Sequence, residues 1–142
     1  MKKIVLIALL ALCGAAAASA QTRFADLAFK QALERAAAEE KLLFVDLYAS
    51  WCGPCQQMTR AVFPRQEVGD CMNAHYVAVK YDIDKDPDGK ELKRRYSVRS
   101  IPTYLVFDAR GRLVLTFGGA MPADKFRAKM QRIAERKEGV WN

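Results

Sequence analysis

Cysteine is scarce in this chain. Four occur in 142 residues, and Cys13 lies in an apolar N-terminal stretch, which leaves Cys52, Cys55 and Cys71 for the folded part. An odd count argues against a framework of paired structural disulfides. His75 is the single histidine, so a zinc site would have to combine it with Cys52, Cys55 and Cys71. That set suffices on ligand count but lacks the usual finger spacing. Haem attachment is disfavoured because Gln56 stands where Cys-x-x-Cys-His needs histidine. No run reaches the roughly 20 strongly apolar residues of a membrane span, so no stable membrane insertion of the mature chain is expected. Repeats and low-complexity linkers are missing too, and the length allows one domain with one core. Arg94, Arg95, Arg99, Arg110, Arg112, Arg127, Lys129 and Arg132 are interleaved with acids and show no aromatic-basic RNA motif. They read as a solvated basic surface, with no nucleic acid as partner.

What is present begins with an export signature. Lys2 and Lys3 precede an apolar run over residues 4–12, and Ala18-Ser19-Ala20 offers a small-residue cleavage site before Gln21. We read residues 1–20 as a secretory signal and 21–142 as the domain, placed in the periplasm or secreted. Cleavage removes two lysines and no acids, so the formal charge falls from +7 to +5. Leu10-Ala11-Leu12-Cys13 superficially resembles a lipoprotein box, but Leu12 is bulky where a small residue is needed, which disfavours a lipid anchor.

Periodicity then lays out the domain. A helix is expected over 26–40 with Asp26 as its cap, and a nearly continuous apolar strand over 42–48 interrupted by Asp46. A second helix opens at Gly53, tolerates Pro54 in its first turn and reaches Phe63 before Pro64 stops it. A helical piece over 66–73, a strand over 76–83 and a helix over 88–96 follow. Strands over 103–107 and 112–117 form a hairpin around Asp108-Ala109-Arg110-Gly111, and an amphipathic helix over 122–136 carries Phe126, Met130 and Ile133 on one face. The fold class is α/β, a mixed sheet with helices on both faces.

The chemistry concentrates at Trp51-Cys52-Gly53-Pro54-Cys55. A close cysteine pair in an oxidising compartment is either a staple or a redox centre. Disulfide exchange proceeds through a thiolate, so a cysteine reacting near neutral pH needs its ionised form favoured. A helix starting at Gly53 aims its free amides and positive dipole end at the Cys52 sulfur. Cys55, one turn inside, is expected to be more shielded, with Cys52 exposed.

The segment Val45-Asp46-Leu47-Tyr48-Ala49-Ser50-Trp51-Cys52-Gly53-Pro54-Cys55 resembles the active-site segment of the thioredoxin family. Lys80-Tyr81-Asp82-Ile83-Asp84 resembles its third-strand segment, Tyr96 through Thr103 its proline loop, and Phe117-Gly118-Gly119 the end of its last strand. The resemblance implies a thioredoxin-like fold and thiol-disulfide exchange with protein disulfides as substrates. It implies that Cys52 is the nucleophile and Cys55 the resolving thiol, and that Asp46 is a buried acid handling the Cys55 proton with Lys80 as its basic partner. Pro102 would be a cis-proline, the Ile101 backbone would pair with substrate, and Trp51, Gly53, Pro54 and Gly118 would complete the groove. No bound cofactor or metal is implied. The Gly-Pro dipeptide resembles that of reducing members, and an exported reductase would need a membrane-bound electron donor. An oxidase or isomerase, or a non-catalytic binding or chaperone module of the same fold, are the alternatives. Two departures from the family pattern stand out: a longer segment between Cys55 and Lys80, broken by Pro64, and a short or missing first strand. Cys71 has no role in the motif and reads as a buried small hydrophobe.

Overall fold

The computed structural model describes residues 20–136, so the expected secretory signal over 1–20, with Cys13, lies outside the described residues except for Ala20. The run Leu42 to Leu47 is too continuously apolar to face water on either side, and it forms β1 (Leu42–Tyr48), buried through Leu47. Two helices, α1 (Phe29–Ala38) and α2 (Gly53–Ala61), flank β1 in the chain. Then come α3 (Gln66–His75), β2 (Tyr76–Asp82), α4 (Pro87–Arg95), the hairpin β3 (Thr103–Phe107) and β4 (Leu113–Gly118), and α5 (Ala123–Arg136). The sheet order is β2-β1-β3-β4, with β1 parallel to β2 and antiparallel to β3. The expected mixed sheet is therefore observed.

Alternation along the central strand divides the core into two layers. Leu42 and Phe44 pack with Met58, Met72, Phe126 and Met130 of α2, α3 and α5. Leu43, Val45 and Leu47 pack on the opposite face with Ala32, Ala36 and Leu92 of α1 and α4. Each large side chain buried this way contributes roughly 1.5–3 kcal/mol. Asp46 shares the Leu42 and Phe44 face, so its carboxylate is carried into apolar packing by the strand period itself.

The boundaries differ from expectation where distant groups intervene. Asp26 does not cap α1, which starts at Phe29; the Phe29 N–H instead donates to Asp88 Oδ2 of α4 at 2.8 Å, and the Ala28 N–H to Gln31 Oε1 at 3.2 Å. A carboxylate from the neighbouring helix fills the role expected of Asp26. The second helix ends at Ala61 rather than Phe63, because the residue before a proline is disfavoured in helical geometry and Val62 and Phe63 both turn their N–H groups to the Met58 carbonyl. The third runs on to His75, and the remaining ends shift by one residue or two. In place of a first strand, residues 20–28 lie along β2 with a single parallel bridge, Phe24 to Ala78.

Candidate active site

Cys52 is the N-cap of α2, extended at φ −81° and ψ 109°, with Pro54 in the first turn. Its sulfur accepts the Cys55 N–H at 3.2 Å, so an otherwise orphaned helix amide points at the reacting atom. The same sulfur is disulfide-bonded to Cys55 and lies 3.7 Å from the Ile101 carbonyl oxygen. The Ile101-Pro102 peptide bond is cis, as expected for this position. The expectation of an exposed Cys52 is corrected: it retains 3% exposure against 4% for Cys55. In the disulfide the Cys52 sulfur is covered by its partner, by the helix amide and by the Ile101 carbonyl, so the two cysteines do not differ in exposure.

The proline loop is fastened from β4. Gly119 N–H donates to the Pro102 carbonyl at 2.9 Å, and a Cβ at Gly118 would stand 2.7 Å from that same oxygen. Only a glycine at 118 lets the strand end approach so closely. Trp51, Gly53, Pro54 and Gly118 are exposed beside the disulfide and Ile101 is half-buried, forming a rim around the covered sulfurs. Trp51 is 69% exposed, and its indole N–H donates to Asp84 Oδ2 at 2.7 Å. Asp84 falls in the quoted third-strand segment, yet nothing in the sequence assigned it this contact.

Asp46 sits between Lys80 of β2 and Tyr104 of β3 in the strand register and is 2% exposed, so it is not a solvent-facing strand residue. Burial pushes its carboxyl up to about 7, against the opposing pull of Lys80. Its Oδ1 has no hydrogen-bond partner among the described residues, while Oδ2 lies 4.0 Å from Lys80 Nζ. Lys80 and Cys55 both line a cavity of about 310 Å³, together with Tyr48, Gln56, Thr59 and Arg60. The expected acid and its basic partner thus come together, and Lys80, though not Asp46, lines the same cavity as Cys55. Cys71 is buried elsewhere, in the wall of a cavity of about 520 Å³ between α3 and α5, with its thiol 3.5 Å from Gln131 Oε1.

Residues 29–134 match the thioredoxin-like domain family. This chain belongs to that family. Thioredoxin-1 of Drosophila melanogaster is 40% identical over 84 residues, covering 59% of this chain and 72% of the relative. The thiol:disulfide interchange protein DsbD of Pseudoalteromonas atlantica is 32% identical over 108 residues, 74% of this chain but 18% of that longer protein. The solution structure of a candidate disulphide-isomerase from Bacteroides thetaiotaomicron superposes with a TM-score of 0.71 at 34% identity, covering 89% of this chain and 100% of that one. The protein is a thioredoxin-like thiol-disulfide oxidoreductase with its disulfide at Cys52 and Cys55.

Proposed function

We propose that this thioredoxin-like oxidoreductase reduces protein disulfides outside the cytoplasm. The observation that carries the reading is the Cys52 sulfur at the mouth of α2, held by the Cys55 amide and set against the Ile101 carbonyl. In the reduced enzyme the Cys52 thiolate attacks one sulfur of a substrate disulfide and expels the other as a thiolate. Asp46 takes the proton of Cys55, and the resulting Cys55 thiolate attacks Cys52 Sγ. The second substrate sulfur leaves as a thiolate and the Cys52-Cys55 disulfide closes, two electrons having passed to the substrate. A carboxyl near 7 suits proton exchange at neutral pH, and Lys80 limits how far its affinity for protons rises. The rim of Trp51, Gly53, Pro54, Ile101, Pro102 and Gly118 receives the extended substrate segment, with the Ile101 backbone pairing to it.

Export rests on the charged start, apolar run and Ala18-Ser19-Ala20 site, with 21–142 as the mature domain. A membrane-bound donor then returns electrons to Cys52 and Cys55. The Gly53-Pro54 dipeptide supports the reducing direction, the potential of thioredoxin itself lying near about −270 mV. Replacing Cys52 and Cys55 together by serine should abolish reduction of insulin, and surviving activity refutes the catalytic assignment. The likeness to a candidate disulphide-isomerase supports isomerisation as a second reading. Equilibration of the cysteine pair with glutathione separates the two, since a strongly oxidising potential excludes the reductase. A Cys55→Ser variant that captures no substrate covalently would leave only a binding module.

A further inference from the structure

We infer that Phe24 and Tyr48 are positioning residues that form an aromatic slot for the Lys80 ammonium and hold it against Asp46, making the segment ahead of α1 part of the redox site. Lys80 Nζ lies over the Tyr48 ring at 4.5 Å from its centroid and over the Phe24 ring at 5.2 Å. Both are within the roughly 6 Å over which a ring face attracts a cation. The other contacts of this ammonium are weak: Thr59 Oγ1 at 3.3 Å and Asp46 Oδ2 at 4.0 Å, beyond hydrogen-bonding distance. A lysine on a four-carbon stem at a quarter-exposed site is otherwise free to extend into water. The ring faces attract the charge of the ammonium and so hold it where it stands.

Phe24 reaches the slot because its segment is tied to the sheet. It bridges Ala78, two residues before Lys80 and on the same face of β2. The Ala25 N–H donates to the Ala78 carbonyl at 2.8 Å and the Thr22 N–H to the Phe63 carbonyl at 2.9 Å, while the Phe24 ring packs edge-on against Phe63 at 5.0 Å. Tyr48 ends β1, two residues beyond Asp46. The titratable and charged groups facing this corner are Asp46 from β1, Tyr104 from β3, Asp82 and Asp86 near the Tyr48 hydroxyl, and Cys55 and Arg60 from α2 across the cavity.

The inference rests on the proton role given to Asp46, and its test separates the two. The Asp46 midpoint is read by carboxyl ¹³C NMR titration of the oxidised protein. Lys80 lowers that midpoint, so releasing it in Phe24→Leu or Tyr48→Leu should raise the midpoint by about half a pH unit. Tyr48→Phe keeps a ring and should leave it at the wild-type value. In a Lys80→Met background both leucine variants should have no further effect. An unmoved midpoint in the leucine variants overturns the slot, as does an equal rise with and without Lys80, which would mean the rings act through packing. Tyr48 is half-buried at a strand end, so its variant serves if loss of Phe24 prevents folding. If the midpoint moves while the pH profile of insulin reduction does not, the slot stands and the role of Asp46 in exchange fails.

Discussion

Replacing Asp46 by asparagine should change the dependence of stability on pH more than stability itself. The carboxyl is raised from 3.8 to about 7 by burial. Below about pH 4 folded and unfolded chains both carry it protonated and no penalty arises. Between 3.8 and about 7 the folded state retains a proton that the unfolded state has released, so stability falls as pH rises through this window. Above it both states are ionised and the penalty is complete. At about 1.4 kcal/mol per pH unit the displacement amounts to about 4 kcal/mol, an order-of-magnitude figure that already contains the pull of Lys80. Asparagine has no such dependence but buries an amide without an evident partner, at a cost of about 1–3 kcal/mol at every pH. The variant should therefore be the less stable protein at about pH 4 and the more stable at about pH 9, the difference swinging by roughly 4 kcal/mol. Urea unfolding of the oxidised forms across this range, compared at unchanged m-value, reads the swing directly. A difference that stays constant with pH, or that grows against the variant towards alkaline pH, would refute the assignment of a buried, proton-retaining Asp46.

Three further outcomes follow from the geometry. If Asp46 acts as a base, the rate of disulfide exchange should rise with pH through a midpoint near 7 in stopped-flow assays, and Asp46→Asn should lose that rise; an unchanged profile in the variant removes the carboxyl from the reaction. Gly118→Ala places a methyl 2.7 Å from the Pro102 carbonyl, so the proline loop must shift. Its stability should drop by about 1–3 kcal/mol together with insulin reduction, and a variant equal to wild type in both contradicts the close packing. Burial pushes the Cys71 thiol up, so intact-mass measurement after alkylation of the native oxidised protein should find it unlabelled, with labelling only after unfolding; modification as fast as that of an unfolded cysteine would show it to be accessible.

How much of this could be read from the sequence is clearest at the redox site. Cys52 and Cys55 are separated by one helical turn that Gly53 and Pro54 both announce, so cap, dipole and disulfide are all consequences of five adjacent residues. The strand over residues 42–48 was equally legible, since a continuous apolar run has few other places to go, but the run alone did not say which face Asp46 takes. The reach of Asp46 to Lys80 was available only through resemblance to a family, because the two are brought together by strand register. The tertiary structure alone decided the rest. Asp88 rather than Asp26 serves the start of α1, Asp84 holds Trp51, the Ile101 carbonyl covers Cys52, and Phe24 lies over Lys80. Each of these is a contact between residues more than 30 positions apart, whose strength depends on distance and burial. Local pattern encodes backbone preference and hydrophobic period; the partner of a polar or charged group is set by which surfaces the fold brings together.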